Sequence, residues 1–137
     1  MLIALDFSAV LTSWPLLVRG VVWTIALTIV GTVLGLLLGT VCAWARARNL
    51  GHRPTALRWA VASYVELVRN TPFIVQLFFL FFGLPALGLK LSPEFASVLA
   101  MVINLGAYSA EIIRAGIEAT PRGQIEAAHS LALTPGQ

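Results

Sequence analysis

Charge is scarce in this chain. Nine Lys/Arg and six Asp/Glu make up 11% of its 137 residues, against roughly a quarter in an ordinary soluble domain. Apolar residues reach 58%, more than a small soluble domain can hide, because such a domain leaves much of its surface wet. Lipid sets no such limit. Cysteine is nearly absent too: Cys42 stands alone inside an apolar run, without a disulfide partner or metal-ligand spacing, and reads as a packing residue. His52 and His129 lie far apart in sequence and read as surface residues, so no acid–base or metal constellation stands out. No G-x-x-x-x-G-K-[ST] occurs, and Gly31-Thr-Val-Leu-Gly35 falls within an apolar run, so the chain brings no phosphate loop of its own. The first basic residue is Arg19, which leaves the N-terminus without the charged start of a secretory signal.

What is present is long apolar sequence. Gly20 to Ala45 is 26 residues without a charge, enough to cross a hydrocarbon core of about 30 Å with some tilt. Trp23 and Trp44 sit near its ends, where indole rings favour the interface. Gly31, Gly35 and Gly39 recur every fourth residue and predict a packing face, since helices in lipid associate by close backbone approach over small residues. A second uncharged run covers Asn70 to Leu89, rich in Phe, with Gly83 and Pro85 expected to end or kink it. The third covers Phe95 to Ala110, short for a span, so its helix is expected to continue past Glu111 to Arg114. These runs do not alternate apolar and polar residues, which excludes barrel strands. No internal repeat or second domain is visible.

Arg46, Arg48, Arg53 and Arg58 lie between the first two runs with no acid among them, whereas Lys90 and Glu94 alone separate the second and third. The positive-inside rule therefore places the segment 46–69 in the cytoplasm and the N-terminus outside. The expected order is an extracytoplasmic segment 1–19, spans at 20–45, 70–89 and 95–114, a short outer loop 90–94, and a cytoplasmic segment 115–137. The fold class is an all-α membrane protein with three transmembrane helices and a short cytoplasmic helix.

Asn104, Tyr108, Glu111 and Glu118 fall at offsets 0, 4, 7 and 14 and share one helical face. Polar groups at membrane depth point into the bundle or a wet cavity, so Asn104, Tyr108 and Glu111 are candidates for a solute path; Glu118 reads instead as an ion-pair partner of Arg114. Gln76 in the second run is either a path residue or a helix–helix hydrogen bonder. In the last segment Thr120 is the expected N-cap, Pro121 the first helical residue and Thr134-Pro135-Gly136 the stop. Ile125, Ala128, Leu131 and Ala132 would form a narrow apolar face, suited to a groove on a partner rather than to lipid, because the polar face has no Lys and only Arg122 to meet headgroups.

Three stretches then carry a family likeness. Glu126-Ala127-Ala128, followed by a small residue at Ala132, resembles the "EAA" coupling loop of bacterial ABC-importer permeases. Arg69-Asn-Thr-Pro-Phe-Ile-Val-Gln-Leu-Phe-Phe-Leu-Phe-Phe-Gly-Leu-Pro85 resembles the start of a membrane segment in the polar amino-acid permeases, and Gly106-Ala-Tyr-Ser-Ala-Glu-Ile-Ile-Arg-Ala-Gly-Ile-Glu-Ala119 resembles the run into their coupling loop. The likeness extends from about residue 16 to 137. It implies the first part of a five-span permease bundle of the bacterial inner membrane, ending within the coupling loop. It also implies a second permease subunit, homo- or hetero-, a pair of cytoplasmic ATPases that hold the ATP and Mg, and an extracytoplasmic solute-binding protein; no cofactor would be bound by this chain. Glu126, Ala127, Ala128 and Ala132 would then couple to the ATPase. Two departures stand out: the family usually has glycine where this chain has Ala132, and its members carry two further spans. The competing reading is a truncated, non-transporting remnant or a small helical assembly protein.

Overall fold

A computed structural model describes Ser8 and residues 12–47 and 56–134. Residues 1–7 and 9–11 of the expected outer segment, Arg48, His52 and Arg53 of the basic stretch, and Pro135, Gly136 and Gln137 lie outside the described residues. Helix α1 is Trp14–Ala47, α2 Ala56–Arg69 and α3 Phe73–Phe78. A π-helical turn, Phe79–Gly83, leads into α4, Leu84–Ala86; α5 is Pro93–Glu118 and α6 Arg122–Ser130. No strand occurs among the described residues.

The interior inverts the pattern of a soluble protein. The buried apolar residues are mostly small, Ala43, Ala96, Ala100, Ala107 and Ala110 among them, while Val22, Ile25, Ile29, Leu37 and Trp44 of α1 are exposed. Large apolar side chains turned outward and alanine turned inward make a bundle built for lipid, where no hydrophobic drive separates inside from outside and close contact decides packing. α1 and α5 are each long and apolar enough to cross a membrane.

Those two helices meet along the glycine face. A methyl added at Gly31 would lie 2.9 Å from Met101 Cε, one at Gly35 2.9 Å from Leu105 Cβ, and one at Gly39 2.5 Å from Ser109 Cβ and 2.9 Å from the Gly106 carbonyl oxygen. At Gly39 the obstacle includes backbone, so only a residue without Cβ fits. The partners rise together, 31 with 101, 35 with 105 and 39 with 109, so α1 and α5 run parallel. A parallel pair obliges the chain between them to return to the side where α1 began.

Here the structure corrects the expected boundaries. α1 starts at Trp14 rather than Gly20 and passes through Arg19; Pro15 falls in its first turn, where the missing N–H costs nothing. The segment 46–69, read as a loop, contains α2, which buries Val65 and Val68 against Cys42, Ala107 and Ala110. Nor is the second span one straight helix over 70–89. α2 and Phe73–Ala86 meet at 106° and pass as a membrane span only as a bent pair. Thr71-Pro72 makes the break: proline has no N–H for the ladder and disfavours helical backbone at the residue before it. The stretch Phe73–Ala86 is about 21 Å long at helical rise, short of the hydrocarbon core. The π-helical turn immediately before Pro85 loosens the backbone where the pyrrolidine ring would otherwise crowd the preceding turn.

α4 closes with the Leu89 N–H donating to the Leu84 carbonyl at 3.1 Å and the Gly88 N–H to Pro85 at 3.0 Å. Gly88 adopts φ +88°, the left-handed residue this helix stop requires. Ser92 then caps α5, its hydroxyl accepting from the Phe95 N–H at 3.2 Å, with Pro93 and Glu94 in the first turn.

Candidate functional site

The bend between α2 and α3 leaves room for further donors at carbonyls whose helical ladder is broken, although the Val68 carbonyl still accepts the Thr71 N–H at 3.3 Å. Gln76 is such a donor: its Nε2 donates to the carbonyls of Val68 and Thr71, both at 2.8 Å. Its Oε1 accepts from Asn104 Nδ2 at 3.3 Å. Two residues singled out separately in the sequence thus touch, and the amide pair ties the elbow to α5. Nearby, the Tyr64 hydroxyl donates to the Ile103 carbonyl at 2.7 Å, in space that the bare Cα of Gly106 leaves open.

One and two turns further along α5, Tyr108 and Glu111 face the same elbow. Glu111 receives arginines from three helices: Arg46 of α1 at 3.5 Å, Arg69 of α2 at 3.6 Å, and Arg114 of α5, whose Nε lies 3.0 Å from Oε2. Arg114 also bonds Glu118, the i+4 pairing foreseen for it. The Arg69 guanidinium stands 5.7 Å above the centre of the Tyr108 ring, within cation–π range. Arg46, Glu66, Arg69, Asn70, Tyr108 and Glu111 line a cavity of about 320 Å³. The predicted polar stripe is therefore divided: Asn104 joins the elbow amide, Tyr108 and Glu111 border the cavity, and Glu118 lies exposed beyond it. Sequence reasoning missed Arg46 and Arg69 as site residues because it counted them only as topological charge and motif. Glu66 carried no signal at all, since nothing in the pattern foretold α2, and Asn70 entered only as the start of an apolar run and as part of the Arg69–Pro85 likeness.

Past Glu118 the chain turns at Ala119 and Thr120 into α6. Its N-cap is Pro121, with no side-chain cap bond, so Thr120 does not cap it as expected; the Thr120 N–H instead donates back to Ile117 at 3.3 Å. Glu126 and Ala127 are exposed and Ala128 is half-buried. The side chain of Ile125, expected on the apolar face, lies outside the description; Leu131 is 73% exposed. The helix ends before Thr134: the Leu133 N–H donates to Ala128 and the Ala132 N–H to His129, both at 3.0 Å. This is the same stop as at Gly88, but here Ala132 takes the left-handed position, at φ +54°.

A parallel, small-residue helix pair, a bent return and a surface helix after the third apolar segment form a specific arrangement. Residues 31–137 match the model of the binding-protein-dependent transport system inner membrane component family. The chain belongs to that family. It is 42% identical over 121 residues to the L-cystine transport system permease protein TcyB of Bacillus subtilis, covering 88% of this chain and 50% of that protein. To the arginine transport system permease protein ArtQ of the same organism it is 37% identical over 134 residues, covering 97% and 59%. To the putative glutamine transport system permease protein GlnP of Rickettsia conorii it is 35% identical over 118 residues, covering 85% and 52%. In three dimensions it is similar to a chain in the crystal structure of an amino acid ABC transporter with histidines, with a TM-score of 0.85 and 36% identity over 98% of this chain and 61% of that one. This family member spans about half the length of the curated relatives it matches.

Proposed function

We propose that this chain forms part of the transmembrane permease subunit of an ATP-driven importer of polar amino acids in the bacterial inner membrane. The observation that carries the reading is α6: it presents Glu126 and Ala127 to solvent at the end of the helix that also carries Asn104, Tyr108 and Glu111. A short exposed helix of this kind suits a groove on a partner, and a rigid α5 would pass its displacement to the bundle. In this reading the partner is a cytoplasmic ATPase pair that binds ATP and Mg. A second permease subunit completes the membrane path, and an extracytoplasmic binding protein supplies the amino acid. Named transport relatives favour this over a small assembly protein.

Orientation follows from charge and packing together. The parallel run of α1 and α5 brings Arg46 and Arg114 to the same end, and the positive-inside rule makes that end cytoplasmic, with the start of α1 outside. Asn104 and Tyr108 would line part of the path, Gln76 would hold Asn104 in place, and Glu111 would close its inner end. Helices then move as rigid bodies around that path.

Reversing the charge at Glu126 tests the docking claim. Glu126→Lys is expected to abolish ATP-dependent amino-acid uptake in proteoliposomes holding the full set of subunits, while membrane insertion stays intact. Uptake at the wild-type rate would sink the reading.

A further inference from the structure

The cavity at the elbow holds more polar capacity than its internal bonds use. Arg46 and Arg69 approach Glu111 at 3.5 and 3.6 Å, beyond the usual 2.7–3.2 Å of an N–H···O hydrogen bond, so both guanidinium forks keep donors free for another oxygen. Across the same cavity, the Glu66 carboxylate takes part in none of the ion pairs and side-chain hydrogen bonds found among the described residues. Asn70 adds an amide to the lining. Two cationic forks and one free carboxylate thus share a space of about 320 Å³. A simple anion would leave Glu66 repelling it, and a simple cation would meet Arg46 and Arg69.

The level of the cavity narrows the choice. Glu111 ends the uncharged run Phe95–Ala110 of α5, so the cavity lies where hydrocarbon gives way to headgroups. Trp44 and Trp59, 57% and 64% exposed, sit on the same two helices that supply Arg46 and Glu66, as expected of side chains at the interface.

We propose that this cavity binds a zwitterion in which an anionic oxygen group is followed within a few ångströms by a primary ammonium, the headgroup of an ethanolamine phospholipid being the occupant its depth favours. The phosphate oxygens meet the Arg46 and Arg69 forks, which suit planar two-point recognition of such groups, and the ammonium donates to Glu66. Choline headgroups lack an N–H to give Glu66, and glycerol headgroups lack the cation. A free α-amino acid carries the same pair of groups; that source, unlike the lipid, rests on the transport reading.

Native mass spectrometry of the full chain, titrated with ethanolamine, choline and glycerol phospholipids of identical acyl chains, tests this directly. The ethanolamine lipid is expected to be retained about tenfold better than the choline lipid, the scale of one hydrogen bond to a charged group. Glu66→Gln should erase that preference. Since Glu66 bonds no other described side chain, the variant should melt as the wild type does. Equal retention of ethanolamine and choline lipids by the wild type, or a preference that survives Glu66→Gln, overturns the proposal. Adding L-glutamine separates the sources. Displacement of the ethanolamine lipid alone assigns the pocket to both zwitterions, and no displacement assigns it to lipid while leaving the transport reading untouched.

Discussion

The two faces of α5 hold the bundle by opposite means. Toward α1 it offers Met101, Leu105, Gly106 and Ser109 to a row of glycines, and the contact is dry, close and without charge. Toward the elbow it offers Asn104, Tyr108 and Glu111, and the contact is amide, ring and ion pair around an open cavity. A dry seam derives its strength from fit, which fails abruptly when one atom too many is present. A polar cluster draws on several bonds to groups still partly hydrated, so it yields by degrees. The seam therefore reads as the fixed part of the molecule and the elbow as the part able to change partners.

The largest effect expected comes from breaking the seam. Gly39→Leu places a side chain where even its first carbon meets Ser109 Cβ at 2.5 Å and backbone of Gly106 and Ala110 at 2.9 and 3.0 Å. Backbone cannot rotate away, so the helices must part, at a cost of about 3 kcal/mol or more. Thermal unfolding in detergent should show it, and a melting temperature near wild type would mean that the seam is softer than its geometry implies.

Next comes the elbow amide. Gln76→Leu keeps the volume but leaves the Val68 and Thr71 carbonyls and Asn104 without this partner, costing about 2 kcal/mol. Amide exchange in α2 and α3 should rise more than in α1. Uniform change across all helices would show that the elbow is not a separate unit.

Removing the carboxylate at the cluster should cost less. Glu111→Ala leaves Arg46 and Arg69 without their ion-pair partner, but the Glu111 side chain keeps 21% of its exposure and Arg69 keeps 42%, so water screens the loss to about 1 kcal/mol. Raising salt should shrink the difference between variant and wild type, and a salt-independent loss would relocate the effect to packing.

The smallest change contrasts the two helix stops. Gly88 and Ala132 occupy the same left-handed position in the same hydrogen-bonded turn, and only Ala132 carries a Cβ against the carbonyl. Ala132→Gly should relieve about 1 kcal/mol and slow amide exchange at the end of α6. Unaltered exchange would mean that α6 frays before this turn matters.

Much of this molecule was legible in residue order, and particular positions show why. The glycines at 31, 35 and 39 announced a packing face because a four-residue spacing stays on one side of a helix whatever it meets. Asn104, Tyr108 and Glu111 announced a shared stripe for the same reason. The elbow was not legible. Apolar content reads 70–89 as one span, while Thr71-Pro72 sets the break and the residues of α2 look like loop until they find α5. Thr120 and Pro121 show the local version of the limit: both suit a helix start, and the choice between them depended on the preceding turn of α5.

Sequence by itself determined that this chain lives in lipid, that its helices approach through small residues, and to which family it belongs, because hydropathy, helical period and motif are properties of neighbouring residues. The tertiary structure alone decided that α1 and α5 run parallel, that Gln76 meets Asn104, and that arginines 46, 69 and 114 share one carboxylate. Those facts join residues up to 70 positions apart, as Gly31 and Met101 are. No local pattern encodes which distant side chains a folded path will bring within a few ångströms.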